Sequence, residues 1–153
     1  MTKFIHPLAG ALALLTIATF WLSTILSELL GSRAMVISVK TAIPWGFLLL
    51  VPALAAAGGS GFVLAKERRG SALVVSKRKR MQIIGANGVS ILIPSALFLA
   101  AKATSGDFDG AFYAVQALEL VAGATNIVLL SLNMRDGLKM KGRLRPRPVG
   151  ERR

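Results

Sequence analysis

Apolar positions along the chain gather into four long runs, 4–30, 43–65, 81–101 and 110–133, separated by stretches richer in charged residues, Ser and Gly. At about 1.5 Å of rise per residue, each run is long enough to cross a hydrocarbon core of about 30 Å as a helix. A helix satisfies its own backbone hydrogen bonds in lipid, so the pattern predicts an all-α integral membrane protein, a four-helix antiparallel bundle. The first run is too long for the apolar region of a signal peptide and no small-residue cleavage motif closes it promptly, so it is expected to be a retained helix.

The connections set the expected orientation. Lys3, then Lys66, Arg68, Arg69 and the run Lys77-Arg78-Lys79-Arg80, then Arg135, Lys139 and the six basic residues of the tail beyond it all fall on one side of the runs. Arg33, Lys40 and Lys102 fall on the other. By the positive-inside rule the rich side is cytoplasmic, with both termini inside. The connection 31–41 is apolar between its two cations and is expected to form a short surface helix or strand-like segment, with Thr41 as N-cap and Pro44 in the first turn of the second span. A transmembrane domain over 1–137 would then be followed by a basic, flexible cytoplasmic tail over 138–153.

Composition narrows the partners. With 54% hydrophobic and 17% charged residues the chain lies outside the range of soluble domains. A net charge of +12 could indicate nucleic acid, but it is confined to connections and tail, which points to anionic lipid headgroups at the cytoplasmic face and to no nucleic acid. The absence of Cys excludes a disulfide framework, a thiolate metal site and a cysteine nucleophile.

Within the runs, polar residues recur at helical spacing. Gln116, Glu119, Gly123, Asn126, Leu130 and Asn133 follow steps of three and four and share one face of the fourth helix. A carboxylate at membrane depth must be paired, protonated or beside water, which singles out Glu119 and, with it, Gln116. The third run offers Asn87, Ser90, Pro94 and Leu97, the first a stripe through His6, Ala9, Ala13, Thr16, Phe20, Ser23 and Ser27, the second Trp45, Pro52, Ala55, Ala56 and Gly59. By depth, His6, Gly59, Asn87 and Asn126 belong to the cytoplasmic half, and Thr24, Glu28, Trp45, Ser95, Gln116 and Glu119 to the outer half. Small faces let helices approach closely, so a homodimer or a membrane-complex partner is expected.

His6, the single histidine, opens the first helix beside Pro7. Haem b in a helical bundle needs a neutral imidazole, nearby glycines, an apolar slot and cations for its propionates. His6 as metal ligand, Gly58 and Gly59 with Gly61, Asn87 and Asn126 in the pocket, and Arg78, Lys79, Arg80 and Arg135 for the propionates would lie at one depth. Met81, Met134 or His6 of a second copy would supply the other axial ligand. The opening Ile5-His6-Pro7-Leu8-Ala9-Gly10, with the four-span size, resembles small bacterial four-helix membrane proteins that bind haem b, and that resemblance implies His6 as ligand; the expected location is the bacterial inner membrane. No nucleophile elbow, H-E-x-x-H or P-loop is present, and Gly85-Ala86-Asn87-Gly88 lacks the strand that a nucleotide site requires, so no catalytic residues are expected. Two function classes follow: a haem-b-binding or redox protein resembling cytochrome b, and a non-enzymatic membrane subunit, either a small transporter-like protein using Glu119 or an accessory subunit of a larger complex.

Overall fold

The computed structural model describes residues 2–66 and 72–140, and all of them are helical apart from two short connections. Helix α1 runs Thr2–Leu30, α2 Arg33–Lys66, α3 Ala72–Asn87, α4 Ile93–Ser105 and α5 Gly110–Met140, with a π-helical turn, Gly88–Leu92, joining α3 to α4. The third rod is therefore α3, the π turn and α4 end to end. Four segments, Ile5–Leu30, Arg33–Val63, Val74–Ser105 and Gly110–Lys139, are long and apolar enough to cross a membrane. The chain is thus an all-helical integral membrane protein, with no strand among the described residues. The residues of the expected basic tail beyond 140, and Arg68 and Arg69, lie outside the described residues.

Each rod packs on two others: α1 on α2 and α5, α2 on the third rod, and the third rod on α5. Among the described residues the backbones of α2 and α5, and those of α1 and the third rod, do not approach within 8 Å, so these pairs are diagonal. Large apolar side chains point outward along every rod, among them Leu8, Leu15, Leu48, Val89 and Val121, whereas Thr24, Ser27, Lys40, Gln116, Asn126 and Asp136 are buried. Such an outward apolar surface suits lipid and would aggregate in water. Ala13, Ile17, Leu50, Ala53, Ile84 and Leu130 form one buried cluster, and Val36, Leu99, Ala103 and Phe112 another. Gly46 lies against the Phe20 ring so closely that a Cβ there would overlap it, which fixes how near α1 and α2 approach.

Three local signals set the ends of the rods. Gly106 ends α4 in the left-handed conformation at φ 76°, and its N–H and that of Asp107 return to Ala103 O and Lys102 O. Asp109 Oδ1 accepts the N–H of Phe112 at 2.9 Å, capping the start of α5. Asp109 also pairs with Lys102 at 2.7 Å, and this hydrogen bond, together with the Phe112 N–H, holds its carboxyl below the usual range.

Several sequence expectations are corrected. Residues 31–41 are not a separate surface segment: only Gly31 and Ser32 are non-helical, and the rest is the first part of α2. Thr41 is no N-cap but a mid-helix residue whose hydroxyl donates to Ile37 O, and Pro44 lies well inside the helix. The spacing Val36, Lys40, Ile43 already follows a helical stride, and all three are buried. The interior face of α2 is also not the expected one: Trp45 is 75% exposed and Pro52, Ala55 and Gly59 are exposed, while Leu50, Ala53, Ala57 and Ser60 face inward. In the third rod Ser90, Pro94 and Leu97 are exposed. The π turn inserts an extra residue into the helical repeat, so the buried face that passes through Ile84 and Asn87 continues through Ser95, Ala96, Leu99 and Ala103.

Candidate functional site

The fourth-rod face foreseen from spacing carries most of the interior polar contacts, and each of its polar groups meets a different part of the protein. Glu119 Oε2 accepts from Lys40 Nζ at 2.7 Å. Lys40 is 1% exposed and Glu119 12%, so this is a buried ion pair. Because α2 and α5 do not pack on one another, the long lysine side chain bridges the diagonal through the centre of the structure. Its ammonium also donates to Thr24 Oγ1 of α1 at 3.5 Å. Pro44, four residues on, withholds the N–H that the Lys40 carbonyl would take in a regular helix, which loosens the ladder at this level.

Two further acceptors flank the pair. Glu28 Oε1 and Gln116 Oε1 are buried and accept no hydrogen bond from any described residue. Glu28 is one turn beyond Thr24 on the same face of α1, and Gln116 one turn before Glu119 on the same face of α5. Arg33 at the start of α2 lies 5.4 Å from the centroid of the Phe108 ring, just before α5, so the end of α1 and the beginning of α5 share one end of the structure. Glu28 and Gln116 therefore both lie one layer nearer that end than the ion pair.

On the other side of the pair is a cavity of about 40 Å³ lined by Phe20, Trp21, Thr24, Phe47, Glu119 and Gly123, among others. At roughly 10–15 Å³ per water on this measure it has room for about three waters, and its lining is apolar apart from Thr24 and Glu119. Trp21 is fixed along its wall: its Nε1 donates to Leu120 O at 2.9 Å, and its ring rests on the bare Cα of Gly123. Beyond it, Asn87 Nδ2 donates to Asn126 Oδ1 at 2.8 Å and to Ala122 O at 2.9 Å, and Asn126 Nδ2 donates to Ile84 O at 3.4 Å. At the far end Arg80 donates to Asp136 at 2.6 Å and to Asn133 at 3.4 Å.

The residues expected to surround a haem distribute differently. His6 Nδ1 lies 3.0 Å from Ala57 O and 3.1 Å from Ser60 Oγ. A carbonyl only accepts, so Nδ1 carries the hydrogen in that contact. The clearance at Gly61 is taken up by the imidazole itself, because a Cβ there would lie 3.0 Å from His6 Cε1. Gly58 faces the Met81 methyl, and Gly59 has no neighbour within 4 Å. Met81 Sδ accepts from Asn133 Nδ2 at 3.9 Å, Met134 is exposed, and Arg78 lies 5.0 Å from the centroid of the Phe62 ring. Arg135 Nε approaches Asp136 at 3.7 Å. His6 and Gly61 are thus brought together, as are Gly58 and Met81, while Asn87 and Asn126 bind one another one layer further in. Among the described residues no group of three or more His, Asp and Glu could hold a metal ion.

Spacing on a single helix revealed Glu119 and Gln116 but not their surroundings. Lys40 was legible only as a charge between runs, and Trp21 only as one more aromatic in an apolar helix. The apolar stride Val36, Ile43 on either side of Lys40 was the signal that could have placed it inside.

The fold and this interior define an integral membrane protein with four apolar rods and a buried ion pair between them. No protein-family model, curated protein or solved structure matches the chain.

Proposed function

We propose that this protein is a small transporter-like protein of the bacterial inner membrane that passes a proton or another monovalent cation through Glu119, with Lys40 as its built-in counter-ion. The observation that carries the reading is the Lys40–Glu119 pair at 2.7 Å, centred among helices whose outer surfaces are apolar. Charged groups at such depth are costly, and a buried ion pair is often no more stabilising than apolar residues of similar volume, which favours a working role over a structural one. Lys40 and Glu119 pair at rest, and a proton or cation that takes the place of Lys40 at the carboxylate releases the ammonium. The water-sized cavity against Glu119 and Thr24 supplies space for the exchange. In the orientation we propose, an antiparallel bundle with both termini cytoplasmic, the Glu28 layer faces outward. Arg78, Lys79 and Arg135 then meet anionic headgroups at the inner face.

Purified full-length protein in liposomes with an entrapped pH dye tests this directly. The wild type should dissipate an imposed pH or sodium gradient, and Glu119→Gln should abolish the flux. A wild type that leaves both gradients intact rejects transport and favours an accessory subunit, whose helix faces dock on a larger membrane complex or a second copy.

A second reading is a haem b protein with His6 as axial ligand, as in a cytochrome b-like carrier or haem handler. It is supported by the Nδ1 contact to Ala57 O, which orients the ring as carbonyl partners orient ligating imidazoles. Its test is the absorption spectrum: a Soret band in the purified protein, lost in His6→Ala, would establish it, and a colourless preparation would end it.

A further inference from the structure

The Lys40–Glu119 pair balances one positive against one negative charge and leaves a second carboxyl without a counter-ion. Glu28 makes no ion pair with a described residue, and its Oε1 is buried without a donor. Gln116, 6% exposed, also turns an unpartnered oxygen into the protein. Both residues stand one turn from the pair toward the same end, on α1 and α5, which pack against each other. Two buried oxygens, one from a carboxylate and one from an amide, with no donor to fill them, form the acceptor half of a site.

The other charged groups of that end are engaged. Lys40 of α2 is held by Glu119 and Thr24, Arg33 lies over Phe108, and Lys102 of α4 is bonded to Asp109 with Asp107 at 3.9 Å. The buried part of α4, through Ser95, Ala96, Leu99 and Ala103, contributes no titratable group. A small positive species that brings its own donor or accepts oxygen ligands would complete the layer.

We infer that Glu28 and Gln116 form the binding site for one exchangeable monovalent cation, a proton or a sodium ion, one layer outside the Lys40–Glu119 pair. This deepens the transport reading and rests on it for its purpose, but binding itself requires no flux. A proton resides on a Glu28 carboxyl oxygen, with the Gln116 oxygen to accept its hydrogen bond. Sodium takes both oxygens directly, hard oxygen ligands being what such a cation prefers. In either case occupancy neutralises the layer and removes a negative charge one turn from Lys40, which alters the field at the Lys40–Glu119 pair.

Trp21 is placed to report the event, since it lines the cavity against Glu119, and Trp45, the second tryptophan, is exposed at the surface. In full-length Trp45→Phe protein in detergent, Trp21 emission is followed while sodium replaces choline at constant pH and ionic strength, and separately while pH is varied. Infrared difference spectra over the same steps read the carboxyl band. A saturable sodium response lost in Glu28→Gln assigns sodium; a response to pH alone, with a carboxyl band lost in Glu28→Gln, assigns the proton. Should Glu28→Gln fail to fold, Gln116→Ala, which keeps both carboxylates, is expected to weaken the same response at least several-fold. No response in either titration by both readouts, or one that persists unchanged in the Glu28 and Gln116 variants, overturns the site. Intact binding without gradient dissipation in liposomes leaves the site standing and rejects the transport reading.

Discussion

Lys40 reaches Glu119 at 2.7 Å although the backbones of the helices that carry them, α2 and α5, do not approach within 8 Å. A lysine stem long enough to cross the diagonal makes this possible, and Thr24 on the intervening α1 takes a second donor of the same ammonium. The pair ties three helices at one level, so its removal is felt by structure as well as by function.

Breaking one side of it should be costly. Lys40→Met leaves an unpaired buried carboxylate and is expected to destabilise the protein by about 3–5 kcal/mol, whereas Lys40→Met combined with Glu119→Leu should recover most of that loss. Thermal unfolding in detergent followed by circular dichroism measures both. A double variant as unstable as the single one would show that the charge pairing is not what matters.

Glycine substitutions in α2 should separate by position. Gly46→Ala pushes a methyl into the Phe20 ring and is expected to cost about 1–3 kcal/mol. Gly59→Ala meets nothing within 4 Å and should be neutral or slightly stabilising, as a glycine replaced within a helix. Equal melting temperatures for the two variants would contradict this placement.

Asn126 is fully buried and holds Asn87 across the α3–α5 contact. Asn126→Leu strands a donor of Asn87 and should cost about 1–3 kcal/mol. Replacing Asn87 by Leu as well should cost less than the sum of the two single changes. A double-mutant cycle in the same detergent gives the coupling, and strict additivity would rule out a direct bond.

The α4–α5 connection should be acid-sensitive. Asp109 is held below the usual carboxylate range by Lys102 and by the Phe112 N–H, so its contribution is complete above the ordinary carboxylate pKa and is lost as pH falls through the lowered value. Exchange of the Phe112 amide should accelerate, relative to its intrinsic rate, on acidification in that range, and Asp109→Asn should remove the dependence. An unchanged profile in the variant would place the acid sensitivity elsewhere.

The four rods were legible in the sequence because hydropathy and length are local properties that lipid enforces without reference to neighbours. The buried face of α5 was legible too, since Gln116, Glu119 and Asn126 contrast with an otherwise apolar helix. The inward face of α2 was not. That helix is apolar on nearly every side, and contact with α1 and the third rod turned Ala53, Ala57 and Ser60 inward and left Trp45 and Gly59 outside. The third rod defeated a constant helical step because the π turn at Gly88–Leu92 shifts the face partway along.

The sequence by itself determined that this is an all-helical membrane protein, which rod carries its polar face, and that Glu119 must be paired, protonated or beside water. Only the tertiary structure decided that the partner is Lys40, a residue whose charge and position between runs resemble those of a surface cation. The physical reason is that an ion pair between diagonal helices depends on the depth and rotation of both, which are set by packing among all four rods and not by any pattern within one of them.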